Sequence, residues 1–484
     1  MSVYLLLTYL NISKTIKSLM LAISNGLSVF SEIDLSDINK EEKLRQESLS
    51  VIFNSVYLAI KILSLLIPFT IAYALLYFLG ETPIDDLGKQ VLGTPNLVVL
   101  CISSVASYIA LRYRVVEKHH VSLESSYSLS HQITHNFAVI PFFAKSMGVI
   151  DNIFTPNSMP LEDKPIFIIG LARAGTTALL NALHSKSEFA TYTYRFMPFI
   201  TAPIVANFFN KRSIKKHEVL RERAHGDGHK IGLNSPEAFD EILWKLYYPN
   251  IYKNDYIIGV GENQLTDNFV SVFKANLSKV SYLNKKELSF ADRNINVRYV
   301  SKNNANISRI PALKAIFPKA NFVVIFRDPI SHARSLHRQH KNFLKIHRND
   351  PFVLKYMNDL GHNEFGLNAK SLLLKKKFSS TFSNDVFEYW LDYWIYVYEY
   401  VLKEHSDLVF VSLESLVENE RDIMERLLLL IDAEDNSWED LRVYFKGSNS
   451  NTPPCEKNNQ QIDYAYSIYN QMCYLACPDL QISG

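Results

Sequence analysis

Cysteine is scarce. The four in 484 residues, Cys101, Cys455, Cys473 and Cys477, are too few and too scattered for a disulfide framework. Cys473 and Cys477 can share a helix face, but nothing nearby completes a ligand set, so they read as a packed pair and no metal is expected. Bulk charge is also nearly absent. A net charge of +2 gives no field for a polyanion, and no nucleic-acid partner is expected. The N-terminus has no positive n-region before an apolar core. Residues 1–30 alternate apolar and polar side chains, with Lys14 and Lys17 their only charges. That pattern argues against a cleaved signal peptide and for an interfacial amphipathic helix. Residues 31–50 are charged and polar and read as a surface segment.

Charge is missing again over 51–79, where Lys61 stands alone. Ile62 to Leu79 is an uncharged, mostly apolar run of eighteen residues, long enough for a membrane helix. A second uncharged stretch follows Lys89, with a shorter apolar part from Leu97 to Leu111. The connection between the two is net acidic (Glu81, Asp85, Asp86, Lys89). The outer flanks are basic, with Lys40, Lys43 and Arg45 before and Arg112, Arg114 and Lys118 after. Positive flanks favour the cytoplasm. The expectation is a membrane hairpin at 51–112 with both ends, and the catalytic domain, cytoplasmic. Its alternative is a buried helical hairpin of a soluble domain. Residues 113–160 read as linker helices, and the remainder, 161–484, as one large domain.

That domain is organised around residues 165–183. Ile166 to Ile169 is an apolar, β-branched run typical of a buried parallel strand. Gly170 to Gly175 is a tight loop, and Leu179, Leu180 and Leu183 fall at helical spacing after it. Strand, glycine loop and helix N-terminus together make an anion site, because unpaired N–H groups and the positive end of the helix converge there. The spacing of Gly170 and Gly175 fits the triphosphate loop G-x-x-x-x-G-K-[ST], but Thr176 stands where that loop needs lysine. Arg173, Thr176 and Thr177 therefore suit a 5′-phosphate-type group better than a β/γ-phosphate. In a second stretch, Phe322 to Phe326 forms another buried-strand run. Arg327 stands at its C-terminal end, where open α/β sheets bind ligands. Pro329 opens a helix, and Ser335 lies two turns into it.

With these two stretches in view, the chain resembles the sulfotransferases that use 3′-phosphoadenosine-5′-phosphosulfate (PAPS), in the Golgi-type and bacterial branch. That family has a loop like P-R-S-G-T-T after a strand and a later R-D-P-x-x-x-x-x-S motif. The resemblance implies that Arg173, Ala174, Gly175, Thr176 and Thr177 hold the 5′-phosphosulfate, and Arg327 and Ser335 the 3′-phosphate. Ala172 and Ala174 depart from the family pattern, where proline and serine are usual. The implied fold is α/β, a P-loop-like parallel sheet of about five strands flanked by helices and preceded here by the helical membrane hairpin. The implied reaction moves a sulfuryl group from PAPS, as co-substrate, to a hydroxyl or amine without a metal. Membrane tethering, an aromatic stretch at 190–210 and the basic run Lys211–Arg223 point to a glycolipid or glycan acceptor.

Sulfuryl transfer needs a base for the acceptor hydroxyl and a cation for the leaving oxygen. The family's glutamate after the first helix has no counterpart, since nothing acidic lies between Glu188 and Glu218. Glu237 and His225 are the candidates for the base, with Glu241 and His229 behind them. Ser235-Pro236 reads as the start of a helix carrying Glu237 in its first turn. Lys302, after Tyr299-Val-Ser, resembles the family's strand-end lysine. Residues near 251–298 and 345–383 read as surface insertions. Two rival functions are a P-loop kinase, disfavoured by Thr176, and a non-catalytic nucleotide-binding membrane protein.

Overall fold

The computed structural model describes residues 51, 55, 127, 129–214, 221–222, 230–287, 295–438, 444–445 and 460–476. The hairpin expected at 51–112 lies outside the described residues, apart from Val51 and Ser55, as do the N-terminal segment, His225 and His229. Among the described residues, no helix is long and apolar enough to cross a membrane.

Five strands form the central sheet: β1 (Ile166–Ile169), β2 (Phe189–Ala190), β3 (Arg298–Lys302), β4 (Asn321–Phe326) and β5 (Val409–Ser412). Their spatial order is β2-β3-β1-β4-β5, and every neighbouring pair is parallel. Parallel neighbours need crossovers, and the crossover helices cover both faces of the sheet. This is why the strands read as unbroken apolar runs. Side chains alternate between two cores. Ile166, Ile168, Val323, Ile325 and Val411 face one core, with Leu179, Leu180 and Leu183 of helix α1 (Thr176–His184). Phe167, Ile169, Val324, Phe326 and Phe410 face the other. That second core includes helix α2 (Pro329–Asn349) and helix α3 (Phe387–His405), whose Trp394 and Tyr398 are fully buried. Helix α4 (Gln460–Ala476) packs on the same side, with Tyr469 against Phe326 at a ring separation of 5.6 Å.

The order places the site. The chain leaves β1 toward β2 on one side and leaves β4 toward β5 on the other. These neighbours therefore open a crevice beyond their C-terminal ends, the place where doubly wound sheets bind ligands.

Two stretches differ from the sequence expectation. Asp267–Glu287 is a long helix, and its Phe269, Phe273, Leu277 and Val280 are buried in the second core around Trp244. Within 345–383, the helix Pro351–Leu360 buries Val353, Tyr356, Met357 and Leu360, and Ser371–Leu373 pairs in parallel with Tyr256–Ile258. Both segments carry a buried apolar face beneath their charges, so they build the core rather than decorate it. The third difference is local. No helix begins at Ser235-Pro236. Pro236 bridges to Thr193, and the Glu237 N–H donates to the Tyr192 carbonyl at 3.1 Å, which holds this segment extended. The helix starts only at Glu241 and runs to Tyr247.

Candidate active site

The first loop is shaped by close approach. A Cβ on Gly170 would lie 2.5 Å from the Ile325 carbonyl oxygen on β4, so only glycine lets the loop leave β1 there. Gly175 has φ +100°, and a Cβ on it would meet the Leu413 side chain at 2.8 Å. Arg173 is left-handed at φ +70°, a conformation that costs a non-glycine residue on the order of 1–2 kcal/mol. Its neighbours hold it there. The Ala174 N–H donates to the Leu171 carbonyl at 3.2 Å. Tyr398 accepts from the Leu171 N–H and donates to the Ile325 carbonyl, tying loop to β4. A turn with a left-handed residue makes a concave row of N–H groups, an anion nest, and here it runs into the N-terminus of α1. Ala174 is fully buried and Thr176 is 3% exposed. The Ala174 N–H is taken by the Leu171 carbonyl, so this residue shapes the turn from beneath. Thr176, at the position of the triphosphate-loop lysine, turns inward, and Thr177 is half-buried.

The second motif meets the first. Arg327 ends β4 beside this loop. Burial presses its pKa below the usual arginine value, and Glu414 and Asp328 oppose that. Asp328 caps α2 by accepting from the Ser331 N–H at 2.7 Å, and it also accepts from Tyr466 of α4 at 3.0 Å. Glu414, just after β5, accepts from the Asp328 N–H and from Tyr469. The strand ends and α4 are thereby knitted around Arg327. Ser335, buried on α2, accepts from Arg173 Nε at 3.4 Å across 162 positions of sequence.

On the other side of β1, Lys302 ends β3, and its Nζ lies 3.7 Å from Glu237 Oε1. Both side chains are at least nine-tenths buried. Glu237 Oε1 also accepts from the Ala238 N–H at 3.0 Å. Glu241 has a structural task. Arg309 donates to it through both terminal nitrogens, at 2.5 and 2.9 Å, while Asn303 and Tyr252 fill its other sites. Arg309 lies in turn over the Trp244 ring. Asp240 accepts from Ser301 and is pushed up to a pKa of about 6, chiefly by burial.

An open cleft begins at Leu171 and Ala172 and is walled by Asn303, Asn304, His362, Glu364, Trp390 and Tyr393. Glu364 accepts from the Asn304 amide at 2.8 Å. Sequence reasoning missed this wall. The only local signal is Gly361, which ends the helix Pro351–Leu360 at φ +84° and starts the loop that carries His362 and Glu364. Among the described residues, no group of His, Cys, Asp or Glu is arranged for a metal.

The site thus gathers a phosphate-type loop, two arginines and a lysine at three adjacent strand ends. The sequence from 165 to 437, more than half of the chain, matches the sulfotransferase family. The chain belongs to the sulfotransferase family. It is therefore an enzyme of sulfuryl transfer, and the family's sulfuryl donor is PAPS. The residues fit that donor. The nest, Arg173, half-buried Arg327 and buried Ser335 offer cations and donors of the kind its charged groups need. Comparison with curated proteins finds no match. Among solved structures, this sulfotransferase is similar to sulfotransferase STF1 of Mycobacterium tuberculosis, at 12% identity over 64% of this chain and 79% of that one, with a TM-score of 0.35. It is also similar to sulfotransferase STF9 of Mycobacterium avium, at 11% identity over 77% and 81%, with a TM-score of 0.33. A sulfotransferase from Alicyclobacillus acidocaldarius shares 8% identity over 65% and 94%, with a TM-score of 0.30.

Proposed function

We propose that this sulfotransferase moves the sulfuryl group of PAPS to a hydroxyl of a glycolipid or glycan that enters the cleft walled by Asn304, Glu364, Trp390 and Tyr393. The observation that carries the reading is the Arg173–Ser335 contact, which joins the two phosphate motifs into one corner. In this reading the 170–177 loop, with Arg173, Ala174, Gly175, Thr176 and Thr177, holds the 5′-phosphosulfate. Arg327 and Ser335 hold the 3′-phosphate. Lys302 supplies positive charge to the oxygen that leaves sulfur, and Glu237 or His225 takes the acceptor proton. Glu237 is supported by its place beside Lys302 at the β3 end. Cations and N–H groups can carry all the developing charge, so the reading needs no metal. Residues 51–112 tether the enzyme to a membrane, with the catalytic domain on the cytoplasmic side.

The test is transfer of labelled sulfate from PAPS to membrane extracts, fractionated into lipids, glycans and proteins. Label in a glycolipid or glycan fraction, lost in Arg173→Ala, supports the proposal. Label confined to protein, or unchanged in the variant, overturns it.

A further inference from the structure

His332 lies on α2, five residues past Arg327 and three before Ser335, and is fully buried. Both of its ring nitrogens are engaged. Trp394 Nε1 approaches Nδ1 at 3.2 Å, and Nε2 lies 2.8 Å from the carbonyl oxygen of Ala172. The tautomer follows from the partners. An indole N–H can only donate, so Nδ1 must accept, and the proton sits on Nε2, which donates to the carbonyl. Burial, with Arg327 and Arg173 nearby, drives the pKa of this imidazole down to about 3. A third cation beside two arginines would be opposed, and the ring stays a neutral, one-way donor.

Ala172 directly precedes left-handed Arg173. In a planar trans peptide the N–H points opposite the carbonyl. Taking up the Ala172 carbonyl therefore turns the Arg173 N–H to the other side. A flipped peptide would point a carbonyl dipole at a bound anion. We propose that His332 is a positioning residue for the sulfuryl donor: oriented by Trp394, it fixes the Ala172–Arg173 peptide so that the Arg173 N–H faces the 5′-phosphosulfate. This rests on the reading of the 170–177 loop as the 5′ site.

The experiment is calorimetric titration of the intact chain with 3′,5′-adenosine bisphosphate, 5′-AMP and 3′-AMP. His332→Phe keeps the ring volume and removes the donor. It should weaken the bisphosphate and 5′-AMP by the same factor, about tenfold, and leave 3′-AMP unchanged. His332→Gln, whose amide nitrogen can reach the Nε2 position, should restore binding to within about threefold. His332→Asn, one methylene shorter, should not. Equal loss for 3′-AMP, or unchanged 5′-AMP affinity, overturns the proposal. Arg173→Ala separates the two levels of the argument. If it leaves 5′-AMP binding intact, the loop assignment itself is wrong. If it weakens 5′-AMP and His332→Phe does not, only the role of His332 falls. Should His332→Phe fail to fold, the Gln and Asn variants decide, and equal 5′-AMP affinity in both overturns the proposal.

Discussion

Arg173 Nε donates to Ser335 Oγ at 3.4 Å, although the two residues are 162 positions apart in sequence. Arg173 is held left-handed by the loop after β1, and Ser335 is buried on the helix after β4. Because β1 and β4 pair directly, with Ile169 opposite Val324, their two following segments share one crevice. The contact joins the loop after β1 to the helix after β4.

Arg327 and Ser335 should read the 3′-phosphate. Arg327→Ala should weaken binding of 3′,5′-adenosine bisphosphate by at least tenfold and leave 5′-AMP nearly unchanged. A charged hydrogen bond of this kind contributes about 1.5–3 kcal/mol. Calorimetry with both ligands checks it, and an equal loss for both would refute the assignment.

Glu237 should matter for turnover more than for donor binding. Glu237→Gln preserves size and should lower the rate roughly a hundredfold or more, with bisphosphate affinity kept. Turnover of labelled PAPS measures the effect. A near-normal rate for Glu237→Gln, with loss in His225→Ala or Glu364→Gln, would move the base to that residue. Lys302→Ala should also cut turnover at least a hundredfold, the scale of a lost donor at a developing oxyanion.

Asp240 should give stability a pH dependence of definite sign. Its folded pKa of about 6 lies above the ordinary 3.8, so the folded state binds more protons between these values. Stability from this group is complete below about pH 4 and is lost as pH rises through 6. Asp240→Asn can still accept from Ser301. The variant should gain on wild type, on the order of 2–3 kcal/mol, between pH 4 and 7. Denaturant midpoints across that range check the direction, and a difference that stays flat with pH would exclude Asp240 as its source.

Topology is open to labelling. In a cysteine-free background, a single cysteine in the acidic connection near Asp85 and Asp86 should react with an impermeant reagent from outside intact cells. One at Lys375, whose side chain is 70% exposed, should not. Reaction of both from the same side would exclude the hairpin at 51–112.

The sequence by itself determined the two central strands and the loop and helix starts that follow them. Ile166–Ile169 and Phe322–Phe326 are apolar without alternation because both faces of a parallel sheet are buried, and that condition is written locally. Gly170, Gly175, Arg327 and Ser335 were legible because loop closure and helix entry also have short-range chemistry. Tertiary structure decided the rest. Glu237 sits beside Lys302 on an extended segment because Pro236 bridges to Thr193 and the Glu237 N–H reaches Tyr192, contacts that outweigh the helix-start signal of Ser235-Pro236. The charges of 251–298 hid a helix whose phenylalanines surround Trp244. The Trp394–His332–Ala172 chain joins three distant segments. Such placements depend on which segments meet across long crossovers, and no local period records that choice.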